Sequence, residues 1–177
     1  PSRETAGLLC AAIISDTLLF QSPTCTPMDE ATARTLAQIA GINIDEFAKE
    51  MFKAGSNLAN KSVSEICFQD FKEFHVNELT FGVGQINSMS SEELQEIREK
   101  VCPELPDVLK ESGLDMVFFM LTNIVDQSTE LLCCGGSAKQ TVIDAFELPE
   151  DTDQIVLNGV VSRKKQLIPT LVSELQQ

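Results

Sequence analysis

What most constrains the fold of this chain is the order of its periodic segments, in which strand-like runs alternate with helical ones. The most apolar of them runs from Asp115 to Val125. Its centre, Met116 to Met120 with its flanks, has the length of a strand and falls well short of the roughly 18 residues of a membrane span. Phe71-Lys72-Glu73-Phe74-His75-Val76 alternates with period two, the mark of a half-buried strand. Leu79 to Asn87 reads as a second strand, and the short Asn77-Glu78 turn between them predicts a hairpin. Further strands are expected over Glu130 to Cys134 and Gln154 to Asn158. Strands alternating with helices, plus one hairpin, predict an α/β domain with a mixed sheet.

The helices announce themselves by their ends. Thr5 to Ser15 is small and apolar, a buried helix by composition. Thr26 is a good N-cap, with Pro27 at the first helical position and Asp29 at the third, and that helix stops at Gly41. Asn43 caps the next, with Glu46 three residues on; Phe47, Met51 and Phe52 share one face, and the helix ends near Gly55. Lys53-Ala54-Gly55-Ser56-Asn57 reads as a hinge, which divides the chain into residues 1–55 and 56–177. Ser62-Val63-Ser64-Glu65 opens a short helix. Ser90-Ser91-Glu92-Glu93 caps a long one to about Gly113, expected to bend or break near Pro103 and Pro106. Gly135-Gly136-Ser137 leads into a helix to about Phe146, and Gln166 to Leu175 is the last. Gly82 and Gly84 inside a strand predict a bulge or a close backbone approach. With no helix directly after them, they are not a dinucleotide fingerprint.

Composition narrows the function. The 177 residues carry 13 basic and 27 acidic side chains, a net charge of −14. That balance argues against nonspecific nucleic-acid binding but leaves room for a small anion in a local basic pocket. With 43% apolar residues the chain is expected to be soluble and globular, with no membrane partner. It begins at Pro1 rather than Met, so a processed chain or a fragment is expected. Six cysteines, none in a CxxC pair, are expected to be buried free thiols of a reducing cytosol. Cys133 and Cys134 should point to opposite faces of their strand.

Against the acidic background, Arg163-Lys164-Lys165 stand side by side in Ser162-Arg163-Lys164-Lys165-Gln166, at the expected start of the last helix. Cations there oppose the helix dipole unless an anion offsets them, so the segment reads as a phosphate site; a solvated charge run is the competing reading. Taken alone, Lys72 is a solvated strand lysine and Asp16 a carboxylate at a helix end. His75, the one histidine, reads as surface. Gln85 and Asn87 either line a cleft or face solvent.

These segments resemble a known family. Ile14-Ser15-Asp16-Thr17-Leu18-Leu19-Phe20, Lys53-Ala54-Gly55, Asp70-Phe71-Lys72-Glu73-Phe74, Gly84-Gln85-Ile86 and Val161-Ser162-Arg163-Lys164-Lys165-Gln166 are similar, in that order, to the C-terminal portion of family II (manganese-dependent) inorganic pyrophosphatases of the DHH phosphoesterase superfamily. The resemblance implies a mixed sheet flanked by helices, the DHH-associated C-terminal domain, over 56–177. It makes 1–55 the helical tail of a doubly wound DHH domain plus linker. It implies a cytoplasmic, homodimeric hydrolase that converts diphosphate to two phosphates by two-metal catalysis with Mn²⁺, Co²⁺ or Mg²⁺. Lys72, Arg163 and Lys164 would bind substrate phosphates, with Lys165 beside them, and Asp16 would be one metal ligand. The DHH motif and most metal ligands of the family are missing from this chain. It is therefore expected to be inactive and metal-free alone, and to self-associate through residues 1–55. The alternatives are another DHH-superfamily phosphoesterase, acting on polyphosphate or short oligonucleotides, or a noncatalytic phosphate-binding regulatory module.

Overall fold

A computed structural model describes residues 1–55 and 61–177. The chain divides into two compact units, Pro1–Asn57 and Leu58–Gln177.

The first unit is helical: α1 (Arg3–Asp16), α2 (Pro27–Ala40) and α3 (Ile44–Gly55). The expected caps are in place. Thr26 and Asp29 bond each other's backbone N–H in a capping box, and Gly41 closes α2 in the left-handed region at φ 70°. Asn43 Oδ1 accepts from the N–H of Asp45 and Glu46, which starts α3. Only one stripe of α1 is buried, Ala6, Cys10 and Ile14, packed on α2; Leu8 and Leu9 are exposed, so the helix is less buried than its composition suggests. Lys53, Ala54 and Gly55 of the expected hinge continue α3, while Ser56 and Asn57 lie outside the described residues.

The second unit is a five-stranded sheet in the order β1 (Phe71–Val76), β2 (Leu79–Ser88), β3 (Met116–Asn123), β4 (Ser128–Cys134) and β5 (Val156–Asn158). β2 and β3 run parallel and the other neighbours antiparallel, so the sheet is mixed as expected. Helices cover both faces. Val117, Phe119 and Leu121 of β3 pack in one cluster with Ile66 and Cys67 of α4 (Val63–Phe68) and Ile97, Val101 and Leu105 of α5 (Ser91–Ser112). Met116, Phe118 and Met120 point the other way, into a cluster with Val142 of α6 (Ala138–Ala145) and Leu171 of α7 (Ile168–Leu175). β3 therefore reads as a continuous apolar run because both its faces are dry.

At Gly82 and Gly84 the close approach is found and not the bulge, and α5 is not broken at its prolines. Strand pairing passes through Gly82 and Gly84 without a bulge. The glycines make room instead: a Cβ on Gly84 would sit 2.6 Å from Phe119 Cδ2 and 2.9 Å from the Cys67 carbonyl oxygen. α5 is one helix, with Pro103 and Pro106 inside it on exposed positions. Its apolar stripe of Leu94, Ile97, Val101, Leu105 and Val108 is buried along its whole length, and that burial offsets the two lost backbone bonds.

Candidate functional site

The basic triplet does not open an α-helix. Arg163–Leu167 form one π turn, and α7 starts after it. The Ser162 carbonyl accepts from both Gln166 N (3.0 Å) and Leu167 N (3.2 Å), a turn one residue wider than an α turn. Ser162 Oγ caps it by accepting from Lys165 N. In an ordinary capping box the third helical residue bonds back to the cap. Here the extra residue in the turn hands that task to the fourth, Gln166. Its Oε1 accepts from Val161 N and Ser162 N at 2.9 Å each, and its Nε2 donates to the Gly159 carbonyl at 2.6 Å. The segment's own side chains thus take up several of the N–H groups that a helix start would offer to an anion.

The π turn also splits the three cations. Arg163 points inward and is 8% exposed. Its Nη1 donates to the carbonyls of Asp70 (2.7 Å) and Val83 (3.0 Å), and its Nη2 donates to Asp70 Oδ1 (2.7 Å). That leaves Nε–H and the second Nη2 hydrogen for another acceptor. Lys164 and Lys165 are exposed and, among the described residues, make no ion pair.

Lys72 belongs to the same neighbourhood. It lies two residues beyond Asp70 on β1, and its partner across the β1–β2 ladder is Val83, whose carbonyl Arg163 holds. It is exposed and has no ion-pair partner among the described residues. The two nearby aromatic residues, Phe71 and Phe74, do not share one face. Phe71 packs beside Gly82, whereas Phe74 lies on the face of Lys72 and stacks on Phe81 with ring centroids 5.4 Å apart. Residues three apart on a strand point to opposite sides.

Gln85 is half-buried and held by hydrogen bonds. Its Nε2 donates to Asn87 Oδ1, Thr122 Oγ1 and the Val161 carbonyl at 3.0–3.1 Å, and Thr129 Oγ1 donates to the Val160 carbonyl. These bonds pin the loop before the π turn onto β2, β3 and β4. Nothing local in the sequence reports this network or the Asp70–Arg163 pair, whose members are 93 residues apart.

Asp16 ends α1 in the first unit, exposed, in a shallow depression lined by Ala12, Ile13, Ser15, Thr17 and Asp29. It is not a capping carboxylate. Thr17 closes the helix, its Oγ1 donating to the Ile13 carbonyl and accepting from Phe20 N. Leu18, Leu19 and Phe20 follow at φ 48°, 52° and 68°, three left-handed residues that no glycine or asparagine announces. Asp29 is occupied: hydrogen bonds from the Thr26 hydroxyl and then its N–H hold the carboxyl below its usual range. Among the described residues no three His, Cys, Asp or Glu side chains form a group able to hold a metal ion.

All six cysteines are free; Cys10 and Cys67 are buried as expected, whereas Cys25, Cys133 and Cys134 are half-buried and Cys102 is exposed. Cys133 and Cys134 do face opposite sides of the sheet, and burial pushes the Cys133 thiol up to about 12. His75 is exposed on β1. Among the described residues no helix is long and apolar enough to cross a membrane.

Comparison with known proteins agrees with this architecture. The DHHA2 domain profile matches residues 49–173. A cobalt-dependent inorganic pyrophosphatase of Clostridium perfringens is 45% identical over 171 residues, covering 97% of this chain and 31% of that protein. A manganese-dependent inorganic pyrophosphatase of Methanothrix thermoacetophila is 42% identical over 173 residues, covering 97% of this chain and 56% of that protein. A crystal structure from Methanococcus jannaschii, assigned to the family II inorganic pyrophosphatases, superposes with a TM-score of 0.82 at 38% identity, covering 99% of this chain and 57% of that one. The chain thus spans about a third to just over half the length of these relatives.

Proposed function

The chain belongs to the DHHA2 domain family, and from that premise we propose that it supplies the phosphate-binding part of an inorganic pyrophosphatase, which hydrolyses diphosphate to two phosphates. What supports this reading is that Arg163 holds the carbonyls of Asp70 and Val83, which are the residue two before Lys72 and its ladder partner, and is followed in sequence by Lys164 and Lys165, all three lysines being without ion-pair partners among the described residues in a chain of net charge −14. Cations gathered against such a balance lower the free energy of a bound polyanion more than that of a neutral ligand.

In this reading the lysines act as flexible point charges on the phosphate oxygens. Arg163 offers its unused N–H groups from a fixed position. Groups held in place before the reaction stabilise charge as it develops on a leaving phosphate without reorganising. Residues 56–177 act as the substrate-binding domain, and 1–55 as a remnant of the catalytic domain with its linker.

The relatives are named for manganese or cobalt, and Mn²⁺, Co²⁺ or Mg²⁺ is the proposed cofactor of the complete enzyme. Asp16 fits one place in such a site, as a hard oxygen ligand at an exposed helix end. The described residues do not make up the rest of a ligand set, so the chemistry assigned to this chain is confined to holding and orienting phosphate. This chain alone is proposed to bind phosphate and not to turn over.

The test is titration of the chain with pyrophosphate at low salt, followed by amide chemical shifts. Shifts centred on Lys72 and residues 162–166 are expected, with affinity lost in Lys72→Ala and in Lys164→Ala/Lys165→Ala. Binding elsewhere, or none, would sink the reading.

A further inference from the structure

Asp70 poses a problem for an anion site on this surface. It sets a carboxylate 2.7 Å from the cation at the centre of the cluster and so weakens the field that would attract phosphate. Its side chain is 51% exposed, whereas that of Arg163 is 9% exposed. Burial of the cation is therefore the part that needs a partner, and Asp70 reaches in from the surface to provide it. The same guanidinium grips two backbone carbonyls, that of Asp70 itself and that of Val83. Those two carbonyls flank Lys72: one lies two residues before it, the other on its ladder partner. The Asp70 carbonyl also accepts from Gln85 N at 3.2 Å, which ties the start of β1 to β2 at this point.

Resting on the phosphate-binding reading above, we infer that Asp70 is a positioning residue. Its carboxylate fixes the plane of the Arg163 guanidinium, and through it the strand from which Lys72 projects. With the carboxylate in place, Arg163 Nε–H and the outer Nη2 hydrogen keep one direction. Without it, Arg163 retains two carbonyl acceptors on a single nitrogen and can rotate about them. Asp70 thus gives up electrostatic attraction in return for a fixed arrangement of donors.

The two roles of a carboxylate here predict opposite signs. If only charge matters, Asp70→Ala removes a negative charge beside the site and tightens pyrophosphate binding. If Asp70 positions Arg163, the same variant removes the acceptor as well and weakens binding, by about tenfold on the scale of losing an orienting partner behind a ligand. The experiment compares wild type, Asp70→Ala and Asp70→Glu in the full chain at one fixed ionic strength. It reads the pyrophosphate dissociation constant, the Arg163 Nε–H resonance and the thermal midpoint. Weaker binding and a broadened Arg163 resonance in Asp70→Ala, with substantial recovery in Asp70→Glu, is the expected result. Equal or tighter binding by a folded Asp70→Ala overturns the inference and leaves the phosphate reading standing. Loss of fold in both variants makes Asp70 a stability residue and overturns the inference too. Absence of pyrophosphate binding by the wild type overturns the phosphate reading and the inference with it.

Discussion

Arg163 and its two lysine neighbours adjoin in sequence and differ in what surrounds them. The guanidinium is buried against Asp70 and two carbonyls, and the ammonium groups are solvated. Truncating Arg163 therefore unclasps β1 from the π turn as well as removing a donor. Arg163→Ala is expected to cost about 1–3 kcal/mol of stability, discounted because Asp70 stays half-exposed; urea unfolding reads this. Lys164→Ala should leave the unfolding midpoint within error, so the lysines are the cleaner probes of anion binding. At Gly84, where an added Cβ meets the Phe119 ring and the Cys67 carbonyl, Gly84→Ala is expected to destabilise by about 1–3 kcal/mol. A wild-type midpoint in that variant would mean that the ring has room to move. At this scale the sequence was legible wherever chemistry is local. Thr26, Asp29, Ser62, Glu65 and Gly41 sit where their capping chemistry predicts. The Asp70–Arg163 pair was not legible, because no short-range pattern records an ion pair formed across 93 residues.

Elements show how packing overrides propensity. α5 contains two prolines and stays one helix because its buried stripe runs from Leu94 to Val108. β3 was legible as a strand from its apolar run, and both its faces are covered. The π turn was not legible, since Ser-Arg-Lys-Lys-Gln reads equally well as the first turn of an α-helix. Its signature is a glutamine four residues after the cap instead of three. Gln166→Ala frees Val161 N, Ser162 N and the Gly159 carbonyl together. It is expected to raise hydrogen exchange across 159–167 while β2 and β3 keep their protection. The cysteines divide by element as well. Burial raises both Cys67 and Cys133 to about 12, so their thiols stay neutral far above the pH at which an unfolded thiol ionises. A folded-state pKa raised in this way adds stability that is complete below the unfolded value and is lost as pH rises through the folded one. The unfolding midpoint should therefore fall as pH climbs from about 9 toward 12, and less steeply in Cys133→Ala. At pH 8, iodoacetamide should modify exposed Cys102 first and reach buried Cys67 only on unfolding.

At the scale of the whole molecule, two compact units lie in one chain that spans only part of its relatives' length. The acidic surface keeps copies apart by charge, while the first unit presents Leu8 at 74% exposure, Leu9 at 48% and Met28 at 73%. Isolated exposed leucines are ordinary on a soluble protein, but two adjacent on one helix offer apolar surface that association can bury. The two forces respond oppositely to salt. A net charge of −14 repels over a Debye length, which falls from about 30 Å at 0.01 M to about 8 Å at 0.15 M. Burial of apolar side chains is not screened. Sedimentation of the chain should therefore show monomer at low ionic strength and concentration-dependent association as salt is raised, with Leu8→Glu/Leu9→Glu shifting it back to monomer. Association that weakens with salt would mean that ion pairs hold the copies together. A monomer at all salt concentrations, with Leu8 and Leu9 solvated, would remove residues 1–55 as an association surface.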